Sequence, residues 1–122
     1  MRKISLKKLE ISEIRILQDE LINFITYKNA VLLPLKNTDG YFDAVLLIDI
    51  AQKIAFSFRG KIERTTKTTA NLNLEPAEAC VLLQCCCNYQ TLRTGFEEFV
   101  MKKYAGLLHK ELINLTQFKL NY

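Results

Sequence analysis

The sequence predicts an α+β protein, a mainly helical single domain of three to four helices with a small two- or three-stranded antiparallel sheet. Three observations lead there. Apolar residues recur at helical spacing over several separate stretches. A Thr-rich stretch alternates at period two and then runs into a proline-marked helix start. Only 2 Pro and 4 Gly interrupt 122 residues, which leaves room for long regular elements. Positions 1–122 make one globular domain, long enough for a real core and too short for two.

The first residues admit two readings. Ile4 and Leu6 alternate like a strand, but Leu9 and Ile11 fall on the opposite parity. A strand broken by a bulge gives this pattern, and so does an early helical turn from Ser5. Ser12 is then an N-cap for a helix over 12–27, since its hydroxyl can accept from the unpaired N–H groups of the first turn. Ile14, Leu17, Leu21, Phe24 and Ile25 form its apolar face, with Glu13, Gln18, Asp19, Glu20 and Asn23 mainly on the other. Ala30 to Leu35 is a strand or an extended connector, ended by Pro34 and a turn at Asn37-Thr38-Asp39-Gly40.

The segment 41–62 is either a helix over 43–58, stopped by Gly60, or a hairpin turning at Ala51-Gln52-Lys53. Its length and its alanines favour the helix, and the hairpin turn lacks Gly, Asn and Asp. From Thr66 to Leu74 residues alternate as a half-buried strand. Pro76 opens a helix over 76–91, where its missing N–H costs nothing and Glu75 and Glu78 suit the positive helix end. Between its first turn and position 88 only Gln84 and Asn88 are polar, so this helix reads as a buried centre, with Cys80, Leu83 and Cys87 inaccessible to thiol reagents or packed in the core. Thr94 and Glu97 frame a capping box for a last helix over 95–113, with Phe96, Phe99, Val100, Tyr104, Leu107, Leu108 and Leu112 on its apolar face. The short link between these helices makes them neighbours. Ile11-Ser12-Glu13 and Leu74-Glu75-Pro76 each close a strand-like stretch and open a helix, so the two stretches can pair and dock both helices on one face. Too few residues match for this to signal a duplication.

Chemistry is sparse. Cys85, Cys86 and Cys87 are adjacent on a helix and fan out by about 100° each, so they do not converge on a metal. No Cys-x-x-Cys motif or basic neighbour points to a reactive thiolate, and the cysteines read as small buried hydrophobes. The lone His109 sits at the edge of an apolar face beside Lys110 and Glu111, as surface histidines do. No phosphate loop, nucleophile elbow or metalloprotease motif is present. The expectation is a protein without enzymatic activity, metal or cofactor. With no apolar leader and no spanning stretch, it is placed in the cytoplasm.

Two functions remain. One is a protein-interaction or oligomerisation module, whose partner is itself or another protein. The alternating Leu115, Phe118, Leu120 and Tyr122 fit this reading, since such a tail can add as a strand to a sheet edge. The other is a small nucleic-acid-binding accessory protein. Arg59, Lys61, Arg64 and Lys67 carry only Glu63 against them among four threonines, and Arg2, Lys3, Lys7 and Lys8 form a second basic cluster that strand pairing would bring to the same edge. The net charge of +4 permits an anionic partner without demanding one, and lysines on edge strands also serve to prevent sheet-to-sheet pairing.

Overall fold

The structure, a computed structural model, describes residues 3–32, 39–88 and 93–120. The order is β1 (Ile4–Glu10), α1 (Ile11–Leu32), α2 (Asp39–Arg64), β2 (Thr69–Leu74), α3 (Pro76–Cys86) and α4 (Gly95–Leu120). Four helices accompany a two-stranded antiparallel sheet, the mainly helical α+β architecture predicted.

A bulge resolves the parity conflict in β1. Ile4 faces Leu74 and Leu6 faces Leu72, but the next pair is Leu9 with Ala70, so β1 carries one extra residue. Lys8 takes up that extra length with φ 58, and its N–H donates to Asn71 Oδ1 at 2.9 Å. The change of parity lets Ile4, Leu6 and Leu9 all join Leu72 and Leu74 in the core. On the solvent face, Ser5 donates to Asn73 Oδ1 at 2.7 Å. Strand β2 begins only at Thr69 (66 was expected), and Thr66 and Thr68 are exposed ahead of it.

The strand-to-helix junctions use few residues. Helix α1 starts at Ile11, whose N–H donates to Thr68 O at 2.9 Å, so Ser12 lies inside the first turn and is not the N-cap. The helix then continues to Leu32, which replaces the strand or connector expected from Ala30. Pro34, Asn37 and Thr38 lie outside the described residues. At α3, the Glu75 N–H donates to Glu78 Oε1 at 2.8 Å, closing the helix start around Pro76. At α4, the Thr94 N–H donates to Glu97 Oε1 at 2.7 Å, and the Glu97 N–H donates back to Thr94 Oγ1 at 3.3 Å. Hydrogen bonds from the Thr94 backbone and side chain to the Glu97 carboxyl hold it below its ordinary 4.5.

Residues 41–62 are helical, and α2 overruns the expected limits at both ends. Gly60 does not stop it. Ile54, Phe58 and Ile62 continue one core-facing stripe past the glycine, and packing on that stripe outweighs the roughly 1 kcal/mol that a helical Gly costs. Arg64 lies over Gly60, where a Cβ would meet its Nη2 at 2.9 Å.

Helix α3 packs against α1, α2, α4 and β2 but keeps a solvent stripe. Its buried residues are Ala79, Val81, Leu82, Cys85 and Cys86, while Cys80, Gln84 and Cys87 are exposed and Leu83 is half-buried. The expected packing of Cys80 and Cys87 is therefore wrong. Both flank Gln84 at i−4 and i+3, so they share its solvent stripe. The helix ends at Cys86, short of 91, with the Asn88 N–H on Cys85 O at 3.1 Å. Residues 89–91 lie outside the described ones.

Helix α4 presents a rotated face. Val100, Met101, Tyr104, Leu108 and Leu115 are buried, whereas Phe96, Phe99 and Leu107 are exposed. The helix continues to Leu120, so the strand-like tail expected after Leu115 is helical instead. The side chains of Phe118 and Leu120, and all of Tyr122, lie outside what is described. No described helix is long and apolar enough to cross a membrane.

Candidate interaction surface

Helix α2 has two different sides. Ala44, Ala51, Ile54, Ala55 and Phe58 are buried against the core. Opposite them stand Phe42, Leu46 and Phe56, which are 67%, 61% and 80% exposed. Val45 and, from α1, Ile22 are also exposed beside this face. Two shallow clefts border it. One is lined by Tyr41, Val45, Ile48 and Gln52 among others, the next by Ile22, Ile25, Gln52 and Phe56 among others. Gln18 ties α1 to this helix by donating to Ala55 O at 3.3 Å. The surface is thus a ridge of large apolar side chains on a helix anchored along its back.

Charges punctuate the ridge in order. Asp43 and Asp49 lie in the first part of α2, and Lys53, Arg59 and Arg64 in the second. Lys53 Nζ sits 3.1 Å from Asp49 Oδ2, and Arg59 Nε donates to Glu63 Oε1 at 2.9 Å. All four side chains are well over half exposed, so these pairs hold rotamers in place and add little stability.

The basic residues singled out in the sequence are dispersed. Arg59, Lys61 and Arg64 fall on one helix, where about 100° per residue leaves Lys61 and Arg64 on one side and turns Arg59 away from both. Lys67 follows in the exposed connection to β2. Lys3 of the second cluster does not join them either. In the antiparallel register Lys3 lies at the Leu74 end, with Nζ 3.6 Å from Glu75 Oε1, while Lys67 precedes Thr69, which pairs with Glu10. Arg2 lies outside the described residues.

Two buried acids went unread in the sequence. Glu13 accepts from the Tyr104 hydroxyl at 2.7 Å and from Lys103 Nζ at 3.0 and 3.1 Å. Glu20 accepts from Arg93 Nε at 3.2 Å, with both side chains only 3% exposed. The same guanidinium donates to Cys85 O and Cys86 O at 3.2 and 3.4 Å, filling the carbonyl end of α3. Burial and the Glu13 bond push the Tyr104 hydroxyl well above its ordinary value. These groups are satisfied internally and hold helices together, and Lys103 and Tyr104 also border a small cleft beside β1. The signal available was spacing: Glu13, Leu17, Glu20 and Phe24 form one core-facing stripe.

Burial pushes the Cys86 thiol up to about 12, and Cys85 higher still, which leaves both as unreactive thiols. Cys80 and Cys87 are exposed, as is His109. Among the described residues no group of three His, Cys, Asp or Glu side chains is placed to hold a metal ion.

No family model matches the chain, and neither a curated protein nor a solved structure is significantly similar to it.

Proposed function

We propose that this protein is a non-enzymatic, cytosolic interaction module whose working surface is the outer ridge of α2. One observation carries the reading: Phe42, Leu46 and Phe56 stand in solvent on the helix whose other side supplies Ile54 and Phe58 to the core. Phe42 with Leu46, and Phe56 about 15 Å further along the helix beyond the Asp49–Lys53 pair, leave large apolar side chains of the kind that a partner covers. Taking about 200 Å² for a Phe side chain, the two rings alone present roughly 300 Å² per chain, and Leu46, Val45 and Ile22 enlarge that area. Rims of paired charge around such a ridge give specificity more than affinity.

The test is covalent capture in the cell. A photo-crosslinking amino acid at position 56 should give a discrete adduct with one protein, be it another chain of this protein or a different one. The same group at position 84, on the solvent stripe of α3, is the control. Equal, diffuse labelling from both positions would end the proposal.

A further inference from the structure

We infer that α2 pairs antiparallel with α2 of a second copy of this chain, centred near Ala51. This deepens the interaction-module reading and rests on it. One line along α2 carries the exposed Phe42, Leu46, Asp49, Lys53, Phe56 and Glu63, with the half-buried Gly60 between the last two. Its spacing alternates four and three residues, the repeat with which one helix presents a seam to another. Opposite this line lie Ala51, Ile54 and Phe58, so the seam is centred on the side turned away from the core.

The seam complements itself in one orientation. Antiparallel pairing about Ala51 sets Leu46 against Phe56 of the partner subunit and Asp49 against the partner subunit's Lys53. It also sets Phe42 over the partner subunit's Gly60, against the guanidinium of the partner subunit's Arg64, a cation that an aromatic ring can cover. Just beside the seam, Asp43 meets Arg59 of the partner subunit. Large thus meets large at positions 46 and 56, and acid meets base at 49 and 53 and at 43 and 59. A parallel arrangement places Asp49 against Asp49 of the partner subunit and Lys53 against the partner subunit's Lys53. Helix dipoles favour the antiparallel choice as well.

Length agrees with this. The centre falls at the middle of α2, which spans 26 residues, so two copies overlap along nearly the whole of about 39 Å. Contact over that length, flanked by Ile22, approaches the roughly 800 Å² per partner of a stable interface. The other exposed apolar face, Phe96, Phe99 and Leu107 on α4, lacks this property. Lys103, the position between Phe99 and Leu107 on that face, is tied to Glu13, and Glu97 and Glu98 flank Phe96, so no continuous self-complementary line runs along it.

Charge reversal tests the register. Asp49→Lys and Lys53→Asp should each weaken self-association about tenfold, by setting like charges opposite one another at two symmetric places. The double variant Asp49→Lys/Lys53→Asp restores acid against base and should return to within about threefold of the wild type. These residues are exposed, and circular dichroism checks that every variant is folded. In a Cys80→Ser/Cys87→Ser background, mixed Asp49→Cys and Lys53→Cys chains should form a disulfide-linked pair faster than Asp49→Cys chains alone. A dimer indifferent to these changes overturns the α2 pairing and leaves assembly to another face. A strictly monomeric protein whose position 56 still captures a different protein in the cell overturns self-pairing and leaves the interaction reading standing. With no specific capture at position 56 either, both fail.

Discussion

Replacing Arg93 with Met tests what holds α1, α3 and α4 together. The guanidinium is 3% exposed, pairs with an equally buried Glu20, and donates to the carbonyls of Cys85 and Cys86. It also lies 3.7 Å from Glu98. Arg93→Met strands the Glu20 carboxylate among apolar groups and leaves two helix-end carbonyls without this donor. Removing one partner of a buried pair costs about 3–5 kcal/mol, a large share of the roughly 5–15 kcal/mol that stabilises a domain. Glu20→Gln is milder, at about 1.5–3 kcal/mol, because the amide still accepts and Arg93 keeps its carbonyls and Glu98. The double variant Arg93→Met/Glu20→Met should cost less than the sum of its parts, since neither charge is then left alone. Urea denaturation at pH 7 followed by circular dichroism measures all three. A loss below about 1 kcal/mol for Arg93→Met would place the pair among surface ion pairs and refute the clamp.

Three other outcomes follow from the same packing. A thiol reagent should label Cys80 and Cys87 quickly in the folded protein and reach Cys85 and Cys86 only on unfolding, as counted by mass spectrometry after timed quenching. Lys8→Gly should stabilise the protein by about 0.5–1 kcal/mol in thermal denaturation, because the bulge needs a left-handed backbone that a side chain disfavours. Alkali should be destabilising. Cys85 and Cys86 are raised above the ordinary 9.0, so their contribution is complete below pH 9 and is lost as pH rises toward their folded values. Each thiol steepens that loss by up to about 1.4 kcal/mol per pH unit, and stability curves from pH 8 to 10 should be flatter for Cys85→Ala/Cys86→Ala.

Local signals carried most of the fold. The Thr94–Glu97 and Glu75–Pro76–Glu78 starts, the stripe Ile14–Leu17–Leu21–Phe24 and the parity change at Leu9 are all short-range patterns, and each marks an element found in the structure. Ends were harder to read. Gly60 stops a helix only when nothing beyond it needs burying, and Ile62 does. Glu13 and Glu20 looked solvent-facing because their partners Lys103, Tyr104 and Arg93 come from the other end of the chain. The candidate surface was hidden for a related reason. Within 41–62 apolar residues occur on all sides of the helix, and only the packing of α1 and α3 decides which of them remain in solvent. The basic segment stood out by composition, but the helical twist of α2 turns Arg59 away from Lys61 and Arg64, and Lys67 lies beyond the helix.

Light scattering across a hundred-fold range of protein concentration decides whether α2 pairs with itself. The pairing predicts a mass approaching twice 14.1 kDa for the wild type at high concentration. Phe56→Glu, at a position 80% exposed and therefore harmless to folding, should return the mass to that of one chain. A single-chain mass throughout, or a dimer untouched by Phe56→Glu, would contradict it.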